Sequence, residues 1–306
     1  MPNKTIVQIA DVKLTLSNLD KIFYTATNFT KEQVIDYYIR IAPFLLPHLS
    51  GHPLTLKRYP NGAASKFFYQ KECPAFRPNW FSTVPVWSEG KKRNIQFCLV
   101  EDLPSLIWAI NLAAIELHTS LSLSEDTLRP TVLVFDLDPG HPATILQCAE
   151  VALKLQNILE ESNLKSFPKT SGSKGLQVYI PLNTTSSTYT QTKNFSHALA
   201  RLLEQKVPSL IVSKMKKNLR KGKIFIDWSQ NDSHKTTVCV YSLRAKKFPT
   251  VSTPVTWEEV TKAHHEQDPN LLRFTTDQVL ERVQTMGDLF APVLTLKQTL
   301  PDLSIN

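Results

Sequence analysis

The chain reads as an α+β protein, with an N-terminal α/β lobe and a second lobe of β-α-β-β-α-β order, the ferredoxin- or RRM-like arrangement. Three observations predict this. Apolar runs of strand length, such as Val132-Leu133-Val134-Phe135, alternate with longer segments whose apolar residues recur at helical spacing. Turn-forming residues bound the runs. No Gly-rich turn follows the run at 132–135 in the form a dinucleotide fold requires, which sets a Rossmann arrangement aside.

In chain order, Thr30-Lys31-Glu32-Gln33 opens a helix with Thr as N-cap and Gln at the third position, followed by Val34, Tyr37, Tyr38 and Ile41 on one face. Pro43 to Pro53 should end it. Residues 54–59 and 67–70 suit short strands, and Leu103–Leu117 reads as a mostly buried helix leading into His118, with Trp108 and His118 as core or rim residues upon it. After the 132–135 strand, Ile145, Leu146, Ala149, Ala152, Leu153, Gln156 and Leu159 trace a helix over about 142–161. Strands at 164–167 and 176–181, a helix near 191–206, and strands near 209–213 and 223–228 complete the lobe. A single domain over 1–306 is expected, with sub-lobes at about 12–130 and 131–290 and a tail at 291–306.

The chain has 306 residues, 42% of them hydrophobic, which excludes wholesale disorder. Its net charge of +8 favours a polyanionic partner. The four cysteines are widely spaced and form no Cys-x-x-Cys pair, so neither a zinc knuckle nor a disulfide framework is indicated, and reduced thiols in a cytoplasm are expected. The N-terminal residues lack an apolar signal core, and 41–49 is too short and Pro-broken to span a bilayer, so no membrane association is expected.

The chemistry concentrates where the apolar run ends, in Phe135-Asp136-Leu137-Asp138-Pro139-Gly140. Side chains two apart on a strand share a face, so Asp136 and Asp138 can hold one hard divalent cation. An ordinary Asp-rich turn would look the same. Thr170-Ser171-Gly172-Ser173-Lys174-Gly175 precedes the strand at 176–180; its hydroxyls, N–H groups and ammonium suit phosphates, or equally a surface hairpin. It is no Walker A loop, which leads into a helix. Lys223-Ile224-Phe225-Ile226-Asp227-Trp228 supplies a third carboxylate at a strand end, as a two-metal site needs. Residues 214–223 carry six basic side chains in ten, including Lys217 and Arg220, and Arg244, Lys246 and Lys247 form a second cluster. Four of the eight glycines, Gly140, Gly172, Gly175 and Gly222, lie beside these motifs.

Together, FDLDPG, TSGSKGLQVYIPL, KIFIDWSQN and YSLRA, with LTLSNLDKIFY, TKEQVIDYY, LKRYPNG, FFYQK and IELH, closely resemble the polymerase domain of bacterial DNA ligase D, in the archaeo-eukaryotic primase superfamily, over roughly residues 12–290. The resemblance implies a primase-polymerase fold and a nucleotidyltransferase that fills gaps and extends 3′ ends in bacterial non-homologous end joining, favouring ribonucleotides and using two Mn²⁺ or Mg²⁺ ions. It implies metal binding by Asp136, Asp138 and Asp227, with Asp227 serving the cation at the primer 3′-hydroxyl. Ser171, Lys174 and Arg244 would contact the triphosphate, and His118 and Gln177 the nucleotide. Phe68 and Tyr69 would form an aromatic platform, Lys71 a phosphate contact and Arg58 a template contact. Lys21 and Lys31 would bind a 5′-phosphate across a gap or break, while Lys217 and Arg220 would contact DNA, Arg220 gating metal and primer placement. Residues 87–97 stand where the family has a loop that aligns DNA ends. Many members carry His where this chain has Gln177, which cannot take positive charge. No Lys-x-Asp-Gly ligase motif occurs, so the implied partners are gapped or broken DNA with a 5′-phosphate, NTP or dNTP, a Ku-type end binder and a separate ATP-dependent ligase. The residues by themselves leave two other readings: a non-catalytic DNA-end module, and an aspartyl-phosphate phosphatase, whose second Asp would instead lead into Gly-Thr.

Overall fold

The computed structural model describes residues 4–301. Residues 1–3 and the last five residues of the expected tail lie outside that range. In chain order the elements are β1 (Lys4–Ile9), β2 (Val12–Ser17), β3 (Ile22–Tyr24), β4 (Phe29–Thr30), α1 (Lys31–Leu49), β5 (Leu54–Arg58), β6 (Phe68–Gln70), β7 (Thr83–Ser88), β8 (Arg93–Cys98), α2 (Leu103–Asn111) and β9 (Ala114–Thr119). There follow β10 (Val132–Pro139), α3 (Ile145–Glu161), β11 (Phe167–Thr170), β12 (Leu176–Pro181), α4 (Tyr189–Lys206), β13 (Ile211–Val212), β14 (Ile224–Asp227), β15 (Thr237–Val238), β16 (Leu243–Ala245), β17 (Pro249–Val251), α5 (Trp257–Glu266), α6 (Thr276–Met286) and α7 (Pro292–Thr295). Among the described residues no helix is long and apolar enough to cross a membrane.

The contacts divide the chain into two compact units. The first comprises residues 1–120, 236–251 and 275–287, and the second 121–235, 252–274 and 288–306. In the first, a sheet runs β15-β9-β5-β8-β7, with β6 also paired to β5. The Thr30 hydroxyl accepts from the Gln33 N–H, and the Gln33 side chain accepts from the Thr30 N–H, the expected capping box. The helix does not stop at Pro43, however, but runs on through Pro47 to Leu49. Both prolines lie on the exposed side, where water can satisfy the carbonyls they strand, while Ile41, Leu45 and Leu49 keep the other face buried. Tyr38 anchors that face by donating to the carbonyl of Ile115 at 2.7 Å, and Tyr37 by donating to that of Tyr241 at 2.8 Å.

The expected helix over 103–117 is two elements. Asp102 caps a helix that ends at Asn111, and Ala113 turns the chain at φ +64° into β9, every residue of which is buried. A short apolar run fits either state until its neighbours are known. Here β5 and β15 flank it and take up its backbone polar groups, which places His118 on a central strand rather than a helix. The 87–97 segment is the turn end of the β7–β8 hairpin, and Glu72 pairs with both Lys91 and Arg93 beside it.

The second unit carries the predicted β-α-β-β-α-β order as β10-α3-β11-β12-α4-β14. Its sheet order, β11-β12-β10-β14-β13, is the ferredoxin-like order with one added edge strand. The strand expected at 164–167 lies three residues later, at 167–170. Leu133, Phe135 and Leu137 of β10 are fully buried with Ala149, Ala152 and Leu155 of α3.

Candidate active site

In the second unit β10 lies between β12 and β14, both antiparallel to it. Asp136 is the register partner of Asp227 on β14 and of Gln177 on β12, and Asp138 stands two residues along. Alternation does the rest: Leu137 is buried, while the three aspartates are half-buried together on one face. Burial first, then the charges of Asp138 and Asp227, push the Asp136 carboxyl up to about 7. The Asp227 carboxylate accepts from the Ser229 N–H at 3.1 Å and hydroxyl at 2.5 Å. Among the described residues no three His, Cys, Asp or Glu side chains are drawn together closely enough to hold an ion as they stand. Two of the three carboxylates here are turned onto Ser229 and Gln177. Three carboxylates crowded so that two of them raise the pKa of Asp136 are nonetheless a donor set that a hard divalent cation would relieve.

Behind this face lies a residue that no sequence motif singles out. Lys169 is fully buried, and its ammonium donates to Gln177 Oε1 at 2.6 Å and to the Ser252 hydroxyl at 2.7 Å. That fixes the Gln177 amide so that its Nε2 donates to Asp136 Oδ1 at 3.1 Å. Gln177 thus meets the carboxylate face as a neutral donor with a buried cation behind it. Alternation along β11 was the only signal that could have found Lys169. A second such residue is Asn231, wholly buried, whose amide accepts from the Val134 N–H at 2.9 Å and donates to its carbonyl at 2.8 Å, tying β10 to the turn after Asp227.

The Thr170–Gly175 segment is the connection of the β11–β12 hairpin. Its Ser171 hydroxyl accepts from the N–H groups of Ser173 and Gly175 at 3.3 and 3.1 Å, and the Lys174 ammonium donates to the carbonyl of Pro139 at 3.1 Å. Gly175 must lack a side chain, because a Cβ there would stand 2.3 Å from the carbonyl oxygen of Leu137. The 214–223 loop is pinned in the same way. Gly140 donates to the Lys223 carbonyl at 2.8 Å, and a Cβ on it would stand 1.8 Å from the Arg220 carbonyl oxygen. Arg220 lays its guanidinium 3.6 Å from the Phe225 ring centroid and donates to the Met215 carbonyl at 2.7 Å; Lys217 is exposed in a short 3₁₀ turn.

The first unit gathers the other residues into three groups. Glu116 on β9 is wholly buried and bound by Lys57, Tyr59, His118 and Arg244. Of these only His118 and Arg244 were expected, and Glu116 and Lys57 hide in IELH and LKRYPNG. Tyr69 meets His118 edge to face at 6.0 Å, and Tyr69 and Phe68 are exposed. Arg58 lies 5.1 Å from the Phe68 ring centroid and donates to Gln70 at 2.6 Å and to the carbonyl of Leu112 at 2.7 Å, while burial lowers the Lys71 pKa. In the third group Lys21 donates to the Pro60 carbonyl at 2.6 Å, and Lys31 to the Ser17 carbonyl at 2.6 Å and to Asn111 at 2.7 Å.

A model of the LigD primase-polymerase domain matches residues 30–290. The chain belongs to the LigD primase-polymerase family. It is 38% identical over 283 residues to the multifunctional non-homologous end joining protein LigD of Mycolicibacterium smegmatis, covering 92% of this chain and 36% of that protein. It is 34% identical over 275 residues to the bifunctional non-homologous end joining protein LigD of Bacillus subtilis, covering 90% of this chain and 43% of that one. The chain therefore spans roughly two fifths of these relatives' length. Among solved structures it is similar to the polymerase domain of Mycobacterium tuberculosis ligase D in complex with DNA, with a TM-score of 0.84 and 36% identity over 92% of this chain and 98% of that one. Membership in the LigD primase-polymerase family accounts for the mixed α/β architecture.

Proposed function

We propose that the chain is a DNA-dependent nucleotidyltransferase that fills gaps and extends 3′ ends during bacterial non-homologous end joining, favouring ribonucleotides. The observation that carries the reading is the register pairing of Asp136 with Asp227, with Asp138 on the same face. In this reading residues 1–306 act as one primase-polymerase domain, the part at about 12–130 serving the DNA end and template and that at 131–290 the chemistry. It works in the cytoplasm at the nucleoid, on gapped or broken DNA carrying a 5′-phosphate, with NTP or dNTP, a Ku-type end binder and a separate ATP-dependent ligase.

Asp136, Asp138 and Asp227 would hold two divalent cations, Mn²⁺ or Mg²⁺. Bound there, such ions neutralise triphosphate charge and make the primer 3′-hydroxyl a better nucleophile. The 3′-oxygen attacks the α-phosphorus in line; the new O–P bond forms as the bond to the β-phosphate bridging oxygen breaks, the hydroxyl proton is lost and pyrophosphate leaves. This chain's side chains contribute positioning and charge. Ser171 and Lys174 supply donors to the triphosphate, as does Arg244, and His118 and Gln177 contact the nucleotide. Phe68 and Tyr69 offer ring faces to bases, Lys71 and Arg58 contact phosphate and template, Lys217 contacts DNA, and Arg220 gates metal and primer. Lys21 and Lys31 receive the 5′-phosphate.

The test is extension of a labelled primer on gapped DNA with Mn²⁺, with and without a downstream 5′-phosphate, offering ribo- or deoxynucleotides. Metal-dependent incorporation, stimulated by the phosphate and lost in Asp138→Ala with DNA binding retained, is the expected result. DNA binding without incorporation by the wild type would refute the polymerase reading in favour of a non-catalytic end-binding module.

A further inference from the structure

Four hydrogen-bond donors and one ion-paired guanidinium converge on the buried carboxylate of Glu116, and they divide between its two oxygens. On the Oε1 side are Lys57 Nζ at 3.2 Å, the Tyr59 hydroxyl at 2.9 Å and the backbone N–H of Ala245 at 3.2 Å. On the Oε2 side His118 Nε2 stands at 3.0 Å, with Lys57 reaching across at 3.3 Å, and the Arg244 guanidinium forms an ion pair through Nε at 3.2 Å without hydrogen-bond geometry. The side chains of His118 and Arg244 keep 11% and 13% of their surface exposed, whereas that of Glu116 keeps none. The carboxylate therefore sits behind the two side chains and cannot itself meet a ligand.

We propose that Glu116 is a positioning residue that holds His118 in its Nε2–H tautomer and keeps the Arg244 guanidinium beside it by charge alone, so that the nucleotide meets His118 through Nδ1. The inference rests on the reading of His118 and Arg244 as nucleotide contacts. A carboxylate only accepts, so an imidazole bound to it through Nε2 carries its proton there. Burial holds the ring below its ordinary pKa against the pull of Glu116, and Lys57 and Arg244 oppose a further positive charge, so Nδ1 keeps its lone pair at neutral pH. Burial alone would push the Glu116 carboxyl up, but His118, Arg244 and Lys57 outweigh it and keep it ionised. In its tautomer, then, His118 receives a hydroxyl or amine of the nucleotide, and phosphate oxygens fall to the cationic neighbours.

An amide in place of the carboxylate separates these roles. Its oxygen satisfies most donors when it faces Lys57, Tyr59 and Ala245, which turns its NH₂ toward His118 and Arg244. A donor cannot face a donor, so Glu116→Gln moves the His118 proton to Nδ1 and removes the charge that pairs with Arg244 while leaving the opposite side intact.

The experiment compares wild type and Glu116→Gln by NMR of ring-¹⁵N-labelled histidine, with His118→Asn assigning the signals, and by nucleotide KM and kcat in gap filling. Expected are an Nε2–H ring in the wild type, an Nδ1–H ring in the variant, and a KM raised about tenfold, the scale of one charge-assisted hydrogen bond, with kcat changed by less than about threefold. A folded variant with unchanged tautomer and KM overturns the proposal. So does a wild-type His118 that is protonated or Nδ1–H at pH 7.5, a measurement that decides even if the variant fails to fold. A wild type that incorporates no nucleotide counts against the polymerase reading instead, and its ring nitrogens still decide the tautomer.

Discussion

Lys31 should make 5′-phosphate recognition depend on pH near neutrality. Its ammonium is almost wholly buried, and it donates to two neutral acceptors, the Ser17 carbonyl and Asn111. Burial, and then the charge of Lys21, lower its pKa from 10.5 to about 8. Holding the charge there costs on the order of 2 kcal/mol after allowance for solvent screening. With a pKa of about 8, the protonated fraction falls from about nine-tenths at pH 7 to about one-tenth at pH 9. If the charged form binds the phosphate, the phosphate-dependent gain in affinity that Lys31 supplies shrinks toward tenfold over that interval. The assay is fluorescence anisotropy on gapped DNA with a 5′-phosphate or 5′-hydroxyl at pH 7, 8 and 9, at fixed salt because phosphate contacts are salt-dependent. The ratio of the two dissociation constants should fall with pH in the wild type and stay low and flat in Lys31→Met. A wild-type ratio that does not change from pH 7 to 9 would refute the reasoning. The folded pKa lies below the unfolded one, so the unfolded chain binds more protons between about pH 8 and 10.5, and this group makes the fold more stable as pH rises through that window.

Asp136→Asn removes a half-buried charge crowded by two others, so the metal-free variant should melt a few degrees higher than wild type, and Mn²⁺ should raise the Tm of the wild type but not that of the variant, as read by differential scanning fluorimetry. Gly140→Ala drives a methyl into the Arg220 carbonyl; the loop at 214–223 must shift, costing about 2 kcal/mol or more in urea unfolding and weakening DNA binding. Gln177→Leu takes an acceptor from the buried Lys169 ammonium and a donor from Asp136. It should destabilise the protein by about 2–4 kcal/mol, and more than Gln177→His, in the same unfolding assay.

Several elements were legible without coordinates because their causes are local. The capping box at Thr30, the helical stripe after it and the short strands expected at 54–59 and 67–70, which stand at 54–58 and 68–70, follow from spacing and turn residues alone. Elsewhere the local pattern was ambiguous. The run from Leu112 to Leu117 has no period that separates helix from strand, and only flanking strands β5 and β15 decided it. The prolines of α1 look like a stop until the packing of the opposite face outweighs two lost backbone bonds.

The same division runs through the site. Sequence alone determined that Asp136 and Asp138 share a face, that a strand follows the Ser/Gly/Lys segment and that basic residues cluster at 214–223, since a strand's two-residue repeat and chain adjacency are properties of the chain itself. Tertiary structure alone decided that Asp227 stands beside Asp136, that Lys169 backs Gln177, and that Glu116 gathers Lys57, Tyr59, His118 and Arg244. Asp136 and Asp227, and Glu116 with Lys57 and Arg244, stand dozens to more than a hundred positions apart, and even Lys169 and Gln177, eight apart across one hairpin, meet only once the register is set; what brings them together is the burial of the whole sheet rather than any local preference of the chain.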